Sequence, residues 1–140
     1  MKLHTYLNYG GNCAEAFRFY EEHLGGKIGM MMTFAQAPGP HGAPQGAENG
    51  ILHASMELGG TRIMANDVAP DRFQPMRSVY LSLSVESDAE AERIYTLLAD
   101  GGEVFMPIQE TFFATRFGML RDRFGTSWMI VRERPMPASA

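Results

Sequence analysis

The chain has 140 residues, 45% of them hydrophobic and 20% charged, with a formal net charge of −4, which gives one globular domain with a proper core. The acidic balance and the lack of a basic run argue against a nucleic-acid partner. No apolar run approaches the ~20 residues that span a bilayer, and the opening MKLHTYLNY lacks a signal-peptide core, while the lone cysteine, Cys13, excludes an internal disulfide and fits a reducing, cytoplasmic setting.

Leu3 to Tyr9 alternates, with Leu3, Thr5 and Leu7 on one side and His4, Tyr6 and Asn8 on the other, as a strand with two different faces does. Asn12 to Gly26 then reads as a capped helix over residues 13–24. Asn12 with Glu15 three residues on makes a capping box. Ala16, Phe17, Tyr20 and Leu24 form one apolar stripe, and Gly25-Gly26 closes it where positive φ is needed. Cys13 sits at the helix N-terminus, where a dipole can lower a thiol pKa; a small packing residue is the plainer reading.

A strand follows over 27–34. Residues 35–50, rich in Gly, Pro and Ala, form a long loop of the kind that serves as a lid or stays disordered, with His41 exposed in it. Ile51 to Leu58 alternates again, Gly59-Gly60 signals a hairpin, and Thr61 to Asn66 is its partner strand. Residues 67–77 are a Pro-bearing connector that could act as a hinge for exchange between subunits.

The second half repeats the first. Ser78 to Val85 reads as a strand, with Val79, Leu81, Leu83 and Val85 inward. Ser87 and Glu90 form a second capping box before a helix over 88–100, which Gly101-Gly102 follows. Strands at 103–109, 115–121 and 126–132 complete the set. Ala16 matches Ala91, Phe19 matches Ile94 and Tyr20 matches Tyr95; Gly60-Thr-Arg-Ile-Met64 echoes Gly125-Thr-Ser-Trp-Met129. The order is therefore βαβββ twice, an α+β protein. It is one domain over 1–135 built from modules 1–67 and 78–135, with a frayed tail over 136–140.

Four blocks carry a resemblance. They are Tyr6-Leu7 with Gly11-Asn12 and Glu15-Ala16-x-x-Phe19-Tyr20; Met64-x-x-Asp67; Gln109-Glu110-Thr111-Phe112-Phe113; and Phe117-Gly118 through Asp122-x-Phe124-Gly125-x-x-Trp128. The chain resembles the vicinal oxygen chelate superfamily, which includes glyoxalase I, bleomycin-resistance proteins and extradiol dioxygenases. Within it, the chain is similar to the PhnB-like, 3-demethylubiquinone methyltransferase-like branch. The resemblance implies a concave, U-shaped mixed sheet with outer helices, and a homodimer.

It also implies four cleft positions where metal-using relatives carry ligands, on the first, fourth, fifth and eighth strands. The repeat places them at His4, Met64, Tyr80 and Met129. Only His4 keeps the family's chemistry, in a His-Thr-x-Leu context. Met and Tyr are poor ligands for hard divalent ions. Thioethers suit Cu(I), but adaptable apolar filling is the plainer role. No cofactor is therefore expected, with a divalent metal as the alternative.

His53 and Glu57 share a strand face with Ser55 between them, a candidate acid–base pair or a solvated face. Glu110 precedes Thr111-Phe112-Phe113; buried beside aromatics it would have a raised pKa, and otherwise it is a loop anchor. Trp128 and Ile130 face the core, and Asp67 caps a turn. No Gly-x-Gly occurs anywhere, so neither a dinucleotide fingerprint nor an S-adenosylmethionine pocket of the usual kind is present. The expectation is a metal-independent binder of a small organic ligand. Its cleft is lined by His4, Tyr6, His53, Glu57, Met64, Tyr80, Glu110, Phe112, Phe113 and Met129. The alternative is a divalent-metal-dependent lyase, isomerase or dioxygenase of the glyoxalase type. A third reading, an interaction scaffold with a vestigial cleft, is blander.

Overall fold

The computed structural model describes residues 1–37 and 47–135; most of the Gly/Pro-rich loop with His41, and the tail 136–140, lie outside them. The chain divides into two compact units, residues 1–74 and 75–140.

In the first unit the elements are β1 (Thr5–Tyr9), α1 (Cys13–Leu24), β2 (Lys27–Thr33), β3 (Ile51–Leu58) and β4 (Thr61–Asp67). In the second they are β5 (Leu81–Ser84), α2 (Asp88–Ala99), β6 (Glu103–Gln109), β7 (Ala114–Arg121) and β8 (Ser127–Glu133). The sheets have the same mixed topology, β1-β4-β3-β2 and β5-β8-β7-β6. β1 runs parallel to β4 and β5 to β8, and the other neighbours are antiparallel. The α+β class and the doubled βαβββ order are as the sequence predicts.

Each sheet covers one face with its helix. Alternation sends Leu7, Tyr9, Ala54, Met56, Ile63 and Ala65 to the α1 side, where they meet buried Cys13, Ala16, Phe17 and Tyr20. In the second unit Leu120, Trp128 and Ile130 meet Ala91, Ile94 and Leu98 of α2. Each large apolar side chain buried this way contributes about 1.5–3 kcal/mol. The Gly59-Gly60 hairpin forms with φ of 59° and 79°, the two positive angles a type I′ turn demands. Pro107 is tolerated because β6 is an edge strand and its pairing with β7 is already interrupted there.

The two capping boxes differ. Ser87 Oγ accepts from the Glu90 N–H at 3.1 Å, and Glu90 Oε2 accepts from the Glu86 N–H at 3.2 Å. Asn12 makes no side-chain cap; Asp67 caps α1 instead, from the end of β4. The helix exits differ too: Gly25 closes α1 in the left-handed region at φ 77°, while α2 ends at extended Asp100 and Gly101 turns the chain at φ 75°. β5 is shorter than the alternation suggests. Ser78, Val79 and Tyr80 fall outside it, and Val79 is exposed, not inward.

Candidate functional site

Opposite each helix lies an open sheet face, and strand register fixes what stands on it. In the first unit one row crosses all four strands: Met30 opposes Ser55, Ser55 opposes Met64, and Met64 pairs with Tyr6. In the second unit the matching row is Met106, Met119, Met129 and Ser82. The repeat thus places a thioether at the same position on β2 and β6, and again on β4 and β8. Sequence reasoning finds Met64 and Met129. It misses Met30, Met106 and Met119; at Met106 an irregularity in β6 between Val104 and Met106 shifts the pairing. Three methionines on the consecutive strands β6, β7 and β8 are the available signal.

The first unit's other expected residues flank its row. The Tyr6 hydroxyl lies 3.4 Å from His53 Nδ1, with the rings 5.9 Å apart. Burial, and less strongly the Cys13 sulfur, hold the Tyr6 phenol above its usual pKa. His53 is therefore engaged by Tyr6, while exposed Glu57 stands opposite Arg62 and Lys27 on a solvated stretch. His4 precedes β1 and is exposed.

In the second unit Tyr80 belongs to a polar–aromatic cluster. Arg77 Nη1 donates to the Tyr80 hydroxyl at 2.8 Å, and its guanidinium lies 4.2 Å from the Phe105 ring centre. Tyr80 meets Phe105 edge to face at 6.3 Å. Arg121 approaches the same ring at 5.9 Å and is neutralised by Glu103 at 2.8 Å. Arg77 and Phe105 are unmarked in the sequence, since one comes from the connector 67–77 and the other from a strand with no singled-out residue.

At the sheet's other end Phe112, Phe113 and Phe117 form an aromatic chain with ring centres 5.2 and 5.1 Å apart. Phe112 is 91% exposed. Glu110 is exposed and holds Arg134, whose Nε donates to the Thr111 carbonyl at 3.1 Å. Burial beside aromatics, the condition for a proton-transfer role, is not met, and Glu110 anchors its loop.

The acidic groups that are buried are already saturated. Asp67 Oδ1 accepts from the N–H of Gly11 at 2.9 Å and Cys13 at 3.0 Å, and Oδ2 accepts from Ile51 N–H at 2.8 Å. Asp122 accepts from the Phe124 and Thr126 N–H groups, each at 3.0 Å, and from Trp128 Nε1 at 2.8 Å. The Cys13 thiol is pushed up to about 12, first by burial and then by Asp67. That is the reverse of an activated nucleophile. Beside Asp67, at the end of the first sheet, lies a cavity of about 780 Å³ lined by Gly10, Gly11, Leu52, Asn66 and Arg72. None of the residues expected from sequence lines it.

The four positions expected to match the family's ligands, His4, Met64, Tyr80 and Met129, offer one imidazole, one phenol and two thioethers. These do not fit a hard divalent ion, which takes oxygen and nitrogen donors. Among the described residues no three His, Cys, Asp or Glu side chains converge as a metal site.

These two βαβββ modules, with residues 1–131 matching the family described as 3-demethylubiquinone-9 3-methyltransferase, place the chain in the PhnB-like branch of the vicinal oxygen chelate superfamily. The chain belongs to that family. It is 33% identical over 147 aligned residues to Protein YjdN of Escherichia coli strain K12, covering 96% of this chain and 99% of that protein. Among solved structures, PA1353 from Pseudomonas aeruginosa is 40% identical with a TM-score of 0.85, over 96% of this chain and 99% of that one. A Bacillus cereus protein described as a putative 3-demethylubiquinone-9 3-methyltransferase, PhnB protein, is 25% identical with a TM-score of 0.80, over 94% and 99%. The fosfomycin resistance protein FosX from Listeria monocytogenes, solved with Mn(II) and 1S,2S-dihydroxypropylphosphonic acid, shares the fold at 13% identity and a TM-score of 0.64, over 96% and 93%.

Proposed function

We propose that this protein binds a small organic ligand on its open sheet faces without a divalent metal. The observation that carries the reading is the pair of equivalent rows, Met30–Ser55–Met64–Tyr6 and Met106–Met119–Met129–Ser82. Thioether side chains make an adaptable, polarisable floor that favours aromatic contacts. The hydroxyls of Ser82 and Tyr6 and the imidazole of His53 supply the few polar anchors such sites use. Binding of this kind needs no general acid, and the buried carboxylates are committed to backbone N–H groups. Methyl transfer is not part of the reading, because the chain lacks a glycine fingerprint for the methyl donor.

We place the protein in the cytoplasm as a homodimer, with no nucleic-acid or membrane partner. The net charge of −4 and the buried lone cysteine support this, and exposed Phe112 and Phe113 offer apolar surface for a second copy. No helix among the described residues is long and apolar enough to cross a membrane. The test is a metabolite panel screened by thermal shift in the presence of a chelator. Stabilisation by at least one organic compound, weakened by Met119→Ser and Met129→Ser, is expected. Stabilisation that appears only after adding a divalent ion would favour the glyoxalase-type alternative and overturn the reading.

A further inference from the structure

We infer that the ligand of the second unit's open face is an organic monoanion with a flat apolar body, its charged head held by Arg77 and Tyr80. The inference rests on the proposed binding role and specifies the chemical class.

The second unit distributes its arginines unevenly. Arg116, Arg121, Arg123 and Arg134 each hold a carboxylate: Glu92 at 2.9 Å, Glu103 at 2.8 Å, Asp100 at 3.6 Å, and Glu110. Arg77, like Arg132, holds none among the described residues. It is nevertheless positioned, by the Phe105 ring at 4.2 Å and the Tyr80 oxygen at 2.8 Å. A guanidinium carries five N–H donors, and a single one is used on Tyr80. Because the Tyr80 oxygen accepts from Arg77, its own proton stays available to donate. Together they present several N–H donors and one O–H donor around a single uncompensated positive charge. A planar fork held by stacking is organised for a carboxylate or phosphate-type oxygen pair before the ligand arrives.

Distance along the strands sets the body. Arg121, which approaches the same Phe105 ring as Arg77, lies two residues from Met119 on β7, so the charged end is one row spacing, about 7 Å, from the thioether row. Another spacing leads to Phe117, Val131 and Ser84. No carboxylate stands in the thioether row to oppose an anion, and its sulfurs favour the edge of an aromatic ring. Arg121 adds no net charge, because Glu103 neutralises it. One charge at the head and one to two row spacings of flat apolar body is the shape that results.

The experiment is calorimetric titration of the full chain with 2-naphthylacetate, 2-naphthylmethylphosphonate and the neutral 2-naphthylacetamide. Wild type is expected to bind at least one anion tenfold or more tightly than the amide, the range a charge-assisted hydrogen-bond pair supplies. Arg77→Gln should remove that preference, weakening the anion at least tenfold and the amide far less. Arg77→Lys should restore part of it, and Tyr80→Phe should weaken the anion about threefold to tenfold. Melting curves of the variants verify that each is folded. Equal affinity for anion and amide overturns the inference and leaves the binding role standing. Preference for the anion that survives Arg77→Gln also overturns it, by moving the anchor elsewhere. Silence from anions and neutral panel compounds alike overturns both.

Discussion

Replacing Asp67 with alanine should cost about 3–5 kcal/mol of stability without touching the binding face. The carboxylate is 6% exposed and accepts three backbone N–H groups, from Gly11, Cys13 and Ile51, at 2.8–3.0 Å. A hydrogen bond to a charged group contributes about 1.5–3 kcal/mol, and each buried donor left unpaired costs roughly 1–3 kcal/mol. The three share one acceptor, so their losses do not add fully. Two of the donors are at the start of α1 and the third opens β3, so one side chain ties the helix start to both strands after a separation of 54 residues. For 140 residues the unfolding entropy is about 0.3 kcal/mol per kelvin, so the loss appears as a fall in Tm of roughly 10–17 °C. Asp67→Asn keeps the shape and one oxygen and should lose about half as much. Differential scanning calorimetry of the three proteins, with ligand affinity measured alongside, is the assay. An alanine variant melting within 2 °C of wild type, or one that melts normally but loses binding, would refute the capping role.

Cys13 should resist thiol reagents in the folded protein and react fully on denaturation, as a kinetic thiol assay would record. Its thiol pKa is raised from 9.0 to about 12, so between those values the unfolded chain has released a proton that the folded one keeps. Stability should therefore fall as pH rises above about 9, by at most 1.4 kcal/mol per pH unit, and denaturant titrations should show a shallower fall in Cys13→Ala. Ser87→Ala should cost about 1 kcal/mol through loss of the α2 cap, readable by urea denaturation. Gly102→Ala should be severely destabilising, because its Cβ would meet the Arg121 carbonyl and the Asp122 backbone, which cannot rotate away as a side chain can; low soluble yield and an early melt are the expected signs.

Local chemistry made most of the fold legible. Ser87 with Glu90, the Gly59-Gly60 pair and the alternation through β3 each act within a few residues, and each appears as expected. The misses are non-local. Asn12 has the composition of a helix cap, but Asp67 takes that role from the end of β4, which no window of sequence around α1 reveals. Ser78 to Tyr80 alternate like a strand, yet Tyr80 is bonded to Arg77 and packed on Phe105 from β6. Met64 and Met129 were reachable through the repeat because hairpins fix their register. Met106 was hidden by the irregular pairing beside it. His53 and Glu57 share parity and so suggest a pair, whereas the polar partner of His53 is Tyr6, 47 residues away.

The most direct measurement is the metal content of tag-free protein purified without chelator, followed by its thermal shift with Ni, Zn, Mn and Fe(II). A metal-independent binder should carry no stoichiometric metal and show no shift that depends on His4, with organic-ligand affinity unchanged in His4→Ala. A stoichiometric metal, or a large metal-induced shift abolished by His4→Ala, would contradict that reading.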